Sequence, residues 1–123
     1  MKQLVELILE NLSTRDVFLF RIRCGACGEA YDSRATRFSK AGITPQKEKQ
    51  ILCDAIYEQE YREARRLAVR ETAEHFNYCP ICKQLVCNGC FMICEDLDMC
   101  RLCAARLHEK GIPVLSDVLE AVM

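Results

Sequence analysis

Four pairs of cysteines, each pair separated by two residues, constrain the fold of this chain more than any other feature. A Cys-x-x-Cys turn directs two sulfur atoms at one tetrahedral metal ion, and a second pair completes the coordination of that ion. If the thiols stay reduced, the pattern predicts two structural Zn²⁺ ions per chain. The predicted ligands are Cys24, Cys27, Cys79, Cys82, Cys87, Cys90, Cys100 and Cys103.

The beginning of the chain bears on whether the cysteines are metal ligands or disulfides. Glu6 and Glu10 interrupt the apolar run that a secretory signal would need, and no small-residue cleavage site follows. No run approaches the ~18 apolar residues of a membrane span. We therefore expect a cytoplasmic protein without a membrane span, in which the Cys pairs hold zinc.

Spacing leaves the combination of the four pairs open. A sequential arrangement joins the first pair with the second and the third with the fourth. A crossed arrangement joins the first with the third and the second with the fourth, and a further option puts the two middle pairs on one ion. Residues 83–86, between the second and third pairs, are too few for a separate domain, so these two turns must lie close together. This short gap leads us to favour the crossed arrangement.

Two cysteines and both histidines lie outside the four pairs. Cys53 falls in a predicted helix and Cys94 in an apolar stretch, so packing as small buried side chains is the expected role of both. Cys94 could instead replace a ligand in an alternative pairing. His75 and His108 lie near pairs and could also coordinate zinc, although the paired cysteines already suffice for two ions.

Hydrophobic periodicity predicts a small α+β domain, stabilised by zinc, in which residues 1–123 form one unit. The predicted elements are a helix over residues 2–12, a strand over 17–23, strand and loop over 29–41, a long helix over about 45–77, a helix over 101–110 and a last short helix from Ser116. Gly111 and Pro113 are the predicted stop signal for the helix before them. No internal repeat of structural length is visible.

The long helix over about 45–77 is an insertion between the first and second Cys pairs. Thr44 can cap it, and Pro45 suits its first turn. Its apolar residues recur at three- and four-residue steps with one slip, and they are Ile51, Ala55, Tyr57, Tyr61, Ala64, Ala68, Thr72 and Phe76. The charged middle, residues 58–66, is expected to project into solvent or to contact a partner. A helical hairpin or a homodimer seam is the alternative, although no Gly, Pro or Asn offers a turn in the middle.

The C-terminal cysteine pattern is similar to that of a known family. The run over residues 79–90, followed by residues 100–103 opening a helix, resembles FYVE-type fingers, including the rabphilin-like Rab-effector zinc finger. This resemblance covers residues 79–110 and the first Cys pair. It implies a treble-clef or zinc-ribbon fold, crossed zinc sites, and helices that flank the zinc core as an interaction surface. The basic His-containing motif that binds phosphoinositide in FYVE domains is absent, so lipid binding is not implied. Bacterial-type double zinc ribbons are a second resemblance.

Charge limits the choice of partner. The formal charge is -1, and two Zn²⁺ ions held by thiolates alone would bring it to about -5. This balance disfavours nucleic-acid binding, although a basic cluster with an aromatic could form from Arg15, Arg21, Arg23, Arg34, Arg37 and Phe38.

Among the possible functions, the leading hypothesis is a non-enzymatic module for protein–protein interaction, an adaptor whose protein partner is unidentified. A regulatory zinc ribbon that binds nucleic acid and a thiol redox switch are the alternatives. No Ser/His/Asp or paired-carboxylate constellation indicates an enzyme.

Overall fold

The structure is a computed structural model and describes residues 2–114. Its elements are the helix α1 (Lys2–Ile8), the strands β1 (Glu10–Asn11), β2 (Val17–Phe18), β3 (Phe20–Arg23), β4 (Ala30–Asp32) and β5 (Thr36–Arg37), the helix α2 (Gln50–Glu74), the strands β6 (Phe76–Tyr78), β7 (Leu85–Cys87), β8 (Phe91–Cys94) and β9 (Met99–Cys100), the helix α3 (Arg101–Arg106) and the strand β10 (Gly111–Pro113). The predicted small α+β fold with one long helix is confirmed. The helix predicted from Ser116 lies outside the described residues.

The strands of the described residues pair antiparallel in small sheets, with the orders β1-β3-β4, β2-β5, β6-β7 and β10-β8-β9. Two of these pairings position the cysteines. The hairpin of β3 and β4 carries the first Cys pair in its turn, and the hairpin of β6 and β7 carries the second. The third pair begins at the last residue of β7 and the fourth pair at the last residue of β9. Each of these strands leads directly into a helical turn.

The long helix is present, with boundaries that differ from the predicted 45–77 by a few residues. A 3-10 turn at Lys47–Lys49 comes first, and α2 then continues to Glu74. The chain leaves the helix there because residues 76–78 pair with β7 as β6. No helix among the described residues is long and apolar enough to cross a membrane.

Aromatic side chains attach the first half of α2 to the N-terminal strands. Phe18, Phe20 and Phe38 are buried and pack against Tyr57 and Tyr61. Ring centroids lie 5.1 Å apart for Phe18 and Tyr57, and 5.6 Å apart for Phe20 and Tyr61. Aromatic pairs attract at such distances. One face of α2 is therefore covered over much of its length.

The predicted apolar stripe of α2 is only partly its buried face. The members that pack into the protein are Tyr57, Tyr61, Ala64, Ala68 and Thr72 of α2, together with Phe76, which lies in β6. Ile51, however, is 83% exposed, and Ala55 also faces solvent. The irregular step in the predicted stripe lies between Ala55 and Tyr57. Before this step, the side of the helix that packs into the protein continues through Cys53 and Ile56 instead.

The charged middle of α2 is mostly exposed, as predicted, but two of its side chains hold neighbouring segments. Glu60 accepts a hydrogen bond from the Ser39 N–H at 3.0 Å. Arg65 donates to the Glu6 carbonyl at 3.0 Å, near the end of α1. These contacts help to fix the helix on the N-terminal half of the chain.

The predicted strand over residues 17–23 is divided into β2 and β3. Leu19, between them, donates its N–H to Ser13 Oγ at 3.0 Å instead of joining a sheet. The predicted alternation is confirmed, since Phe18, Phe20 and Ile22 are all buried.

The helix predicted over residues 101–110 ends early, and Gly111 does not stop it. α3 ends at Arg106, and His108 adopts a left-handed φ of 57°. Glu109 then donates its N–H to the Ala104 carbonyl at 2.8 Å, which satisfies a carbonyl at the helix end. Gly111 instead begins β10, which pairs with β8.

The main core joins α1, the end of α2 and the cysteine turns. α1, predicted to reach residue 12, ends at Ile8 because Glu10–Asn11 pair with β3. The buried members of this core are Val5, Ile22, Cys24, Val69, Phe76, Cys79, Leu85, Val86, Cys90, Met99, Cys100, Cys103 and Ala104. Since cysteines supply much of this core, its stability depends on the state of their sulfurs.

Replacing a core aromatic should cost far more stability than replacing an exposed side chain of α2. Phe20 is 1% exposed and Ile51 is 83% exposed. We expect Phe20→Ala to lower the free energy of unfolding by about 3–5 kcal/mol because it leaves a cavity. Ile51→Ala should change it by no more than about 0.5 kcal/mol. Urea unfolding followed by circular dichroism measures both, and equal losses would contradict the anchoring of α2 by the aromatic residues.

Candidate metal centre

The structure brings the eight paired cysteines together in two clusters. The first cluster consists of Cys24, Cys27, Cys87 and Cys90, and the second cluster consists of Cys79, Cys82, Cys100 and Cys103. Within each cluster, the Sγ atoms all lie within 4.8 Å of one another. This grouping is the crossed arrangement, because the first Cys pair meets the third and the second meets the fourth.

The distances between sulfur atoms fit a tetrahedral metal site. Cys27 Sγ lies 4.0 Å from Cys87 Sγ in the first cluster, and Cys82 Sγ lies 3.8 Å from Cys100 Sγ in the second. Four sulfurs at the usual Zn–S distance of about 2.3 Å form a tetrahedron with edges of about 3.8 Å. A disulfide would need about 2.05 Å, and all of these cysteines are free thiols. Each cluster could therefore hold one metal ion.

The first half of each cluster is the turn of a hairpin. In the first cluster, Cys24 N–H donates to the Glu29 carbonyl at 2.9 Å, and Gly28 N–H donates to the Cys24 carbonyl at 3.0 Å. Gly28 has a φ of 77°, a left-handed conformation that glycine adopts without strain. The turn therefore bends back sharply and leaves both of its sulfurs on one side.

The second cluster repeats this turn with different residues. Cys79 N–H donates to the Gln84 carbonyl at 2.9 Å, and Lys83 N–H donates to the Cys79 carbonyl at 2.7 Å. Lys83 takes the place of Gly28 and has a φ of 60°, which is uncommon for a residue with a side chain. The hydrogen bonds of the turn hold Lys83 in this conformation.

The second half of each cluster is a strand that leads into a helical turn. Cys87 ends β7 and Cys100 ends β9, and both have extended backbones immediately before helical residues. Each also donates its N–H to the first sulfur of its cluster, Cys87 to Cys24 Sγ at 3.2 Å and Cys100 to Cys79 Sγ at 3.3 Å. The clusters are thus two copies of one structural unit. No repeat is visible in the sequence because the two copies share only their cysteines and their backbone pattern.

Backbone N–H groups favour a charged sulfur in each cluster. Burial raises the pKa of the Cys24 thiol, but N–H groups of Cys27, Cys87 and Ala26 donate to this sulfur and lower its pKa to about 6. The pKa of Cys79, at the same position of the second cluster, is lowered to about 6 by N–H donors that likewise outweigh its burial. Both sulfurs are therefore prepared to bind a cation as thiolates.

The opposite shift holds for a partner sulfur in each cluster. Burial raises the pKa of Cys87 to about 12, and hydrogen bonds with neighbouring cysteines add to this effect. Cys103 has a pKa of about 12 for the same reasons. At neutral pH, a metal-free cluster therefore shares protons among its sulfurs, and a metal ion must displace them in order to bind.

The cysteines and histidines outside the pairs do not join the clusters. Cys53 packs beside the aromatic core but is half-buried rather than buried. Cys94 lies on β8, where its Sγ is 2.8 Å from the position that a Cβ on Gly111 would occupy. His75 stacks on Tyr31 with ring centroids 4.3 Å apart. His108 lies just after the end of α3, in the left-handed conformation. In the described part of the chain, neither histidine belongs to a group that could hold a metal ion.

No family model, no curated protein and no solved structure matches this chain. Two four-cysteine groups that could each hold a metal ion are consistent with a zinc-finger-like domain. The similarity to FYVE-type fingers and to double zinc ribbons stays a resemblance in cysteine pattern.

Metal content tests the two clusters directly. Protein purified without added metal should contain two zinc ions per chain, one for each cluster. Cys24→Ser should lose the ion of the first cluster, whereas Cys53→Ser should keep both because Cys53 lies outside the clusters. Elemental analysis of the three proteins measures this. Wild-type protein with no metal and oxidised cysteines would overturn the assignment.

Zinc binding should weaken as the pH falls. The raised pKa of Cys87 and of Cys103 means that protons compete with the metal for these sulfurs over the whole neutral range. Zinc uptake at pH 7 should release protons, but fewer than four per ion, because the lowered pKa of Cys24 and of Cys79 leaves those sulfurs largely ionised. Competition titrations with a coloured chelator at pH 6, 7 and 8 measure the affinity. An affinity independent of pH would contradict thiolate ligation.

Proposed function

We propose that this chain is a non-enzymatic zinc-binding module that presents a surface to a partner protein. The observation that carries the proposal is the pair of interleaved four-cysteine clusters. Four protein ligands complete a tetrahedral zinc site and leave no position for water or substrate, which is the arrangement of structural rather than catalytic zinc. We place the protein in the cytoplasm, where thiols stay reduced.

The metal ions would hold together parts of the chain that are far apart in sequence. The first cluster joins Cys24 and Cys27 to Cys87 and Cys90, so one ion would fix the N-terminal hairpin on the C-terminal half. Because the buried cysteines belong to the main core, metal binding would contribute directly to the free energy of folding. This supports a single zinc-dependent unit that is rigid enough to serve as a scaffold.

The exposed face of α2 is the surface that we propose for the partner. The opposite face of the helix packs on the aromatic core, so the exposed residues are held in a fixed arrangement. The exposed row includes Ala55, Gln59, Arg62, Glu63, Arg66 and Arg70. Glu63 and Arg66 form an ion pair at 2.6 Å, and such surface pairs contribute little to stability. A polar and charged row of this kind suits a hydrophilic protein partner, and a second copy of α2 is one candidate.

The nucleic-acid alternative loses part of its support. Arg21 pairs with Asp32 at 2.6 Å, and Arg23 pairs with Glu10 at 3.1 Å. Phe38, the aromatic of the predicted basic cluster, is 5% exposed and cannot stack on a base.

The alternative of a thiol redox switch has one feature in its favour, since Cys27 and Cys82 are the most accessible members of their clusters. Metal binding would protect both sulfurs.

Variants of the α2 face test the proposed surface. Arg62→Ala with Arg70→Ala removes two exposed charges that form no ion pair within the described residues. Lys47→Ala with Lys49→Ala removes the same charge just before the helix and is the matched control. We expect both proteins to keep their zinc and their fold. Quantitative affinity purification should lose specific partners only with the α2 variant, and light scattering should show whether a second copy is the partner.

Other outcomes would redirect the proposal. Equal partner profiles for both variants would exclude the α2 face. Tight binding of labelled RNA or DNA that weakens strongly between two salt concentrations would favour the nucleic-acid alternative instead.

A further inference from the structure

We propose that Arg101 is a positioning residue that couples the two metal sites. This inference rests on the proposed zinc binding. It goes beyond zinc binding because it concerns how the metal occupancy of one cluster affects the metal affinity of the other. Arg101 belongs by sequence to the second cluster, but its guanidinium reaches a sulfur of the first.

The position of Arg101 is set by the second cluster. It is the first residue of α3, between the ligands Cys100 and Cys103. Cys100 Sγ caps this helix by accepting a hydrogen bond from the Cys103 N–H at 3.5 Å. Cys100 is in turn held by its N–H bond to Cys79 Sγ at 3.3 Å. A metal ion on these sulfurs would fix the start of α3 and, with it, the direction of the Arg101 side chain.

The side chain of Arg101 ends at the first cluster. Its Nε donates to Cys90 Sγ at 3.4 Å. The hydrogen bond and the charge of Cys90 raise the pKa of Arg101, and the more distant Cys27 and Cys24 act in the same direction. The Arg101 cation is therefore attracted by three sulfurs of the first cluster.

The positive charge of Arg101 would stabilise the thiolates of the first cluster. Zinc with four thiolates carries a net charge of -2, and Cys90 is 5% exposed, so water does little to stabilise its charge. Hydrogen bonds from a charged donor are stronger than those from a neutral N–H. Groups that donate to metal ligands typically change metal affinity by about 10- to 100-fold.

Asn88 is the residue of the first cluster that corresponds to Arg101, and its side chain makes different contacts. Asn88 follows Cys87 as Arg101 follows Cys100. Its side chain points towards the end of α2, where it accepts from Asn77 Nδ2 at 2.5 Å and donates to the Glu74 carbonyl at 3.4 Å. The link through a side chain thus joins α3 to the first cluster, and nothing comparable joins Asn88 to the second.

The backbone provides a separate link between the clusters. Gly25 N–H, in the first turn, donates to the Leu85 carbonyl at 2.9 Å. A Cβ at Gly25 would lie 3.0 Å from Gln84 Cβ and 3.1 Å from the Leu85 carbonyl oxygen, so a side chain at this position would crowd the approach. This contact remains when Arg101 is replaced, and the experiment can therefore isolate the side chain.

The test measures the metal affinity of each cluster in Arg101→Gln, with Arg106→Gln as the control on the same helix. Cadmium-113 NMR of full-length protein resolves the two sites, and Cys27→Ser, which removes a ligand of the first cluster only, assigns their signals. We expect Arg101→Gln to weaken the first cluster by about 10-fold or more and to shift its signal. Arg106→Gln should do neither, and Arg101→Lys, which keeps the charge, should recover part of the loss.

A double-mutant cycle separates coupling from a local effect. Cys82→Ser removes an accessible ligand of the second cluster and loosens α3. If the second cluster positions Arg101, the loss that Arg101→Gln causes at the first cluster should largely disappear in the Cys82→Ser background. By linkage, metal at the first cluster should strengthen the second by the same factor.

The outcomes distinguish the two proposals. Wild-type protein that binds no metal overturns the proposed function and this inference together. Wild-type protein that binds two ions, with Arg101→Gln indistinguishable from Arg106→Gln, overturns only the inference. An Arg101→Gln loss at the first cluster that is unchanged by Cys82→Ser also rejects the coupling.

Discussion

The convergence of sulfur atoms on two points determines how the rest of this molecule is arranged. Four thiolates come together only where each is stabilised, and here N–H groups donate to the first sulfur of each cluster, Cys24 and Cys79. The donor that closes each cluster comes from the strand that brings in the other half, Cys87 or Cys100. In each cluster, one of the hydrogen bonds that lower the pKa of the first thiol is therefore also a contact that joins the two halves.

The shortness of β7 holds the two sites side by side. Gln84 closes the turn of the second cluster, and Cys87, three residues later, is a ligand of the first. A strand this short cannot separate the two sites, and in any pairing the N-terminal hairpin must come to the C-terminal half. Long-range order therefore depends on a few residues around β7, including the close contact between Gly25 and Leu85.

The long helix connects the N-terminal hairpin to the C-terminal half and is itself part of the core. α2 covers about 37 Å at 1.5 Å per residue, and it packs on both cores, with Tyr57 and Tyr61 near its start and Val69 and Thr72 near its end. The insertion is thus part of the fold rather than a projection from it. Its remaining face is exposed and mostly polar, apart from Ile51, Leu52 and Leu67, and it stays available for contact.

The sequence by itself determined the ligand candidates through the cysteine spacing, and the long uninterrupted helix through its hydrophobic periodicity, because these features depend on local turn geometry and local pattern. The alternation of Phe18, Phe20 and Ile22 likewise predicted a buried side, since successive residues of a strand point to opposite faces. Local rules failed where partners distant in sequence decide the outcome. Residues 76–78 leave the helical pattern because β7 offers hydrogen bonds.

Only the tertiary structure decided between crossed and sequential pairing, because every Cys-x-x-Cys turn presents its sulfurs alike and only the path of the chain between the turns selects the partner. It alone showed that Lys83 takes a conformation suited to glycine, and that Arg101, next to one cluster in sequence, reaches Cys90 of the other. No local pattern encodes these contacts, since each depends on two segments that meet only after the sulfurs converge.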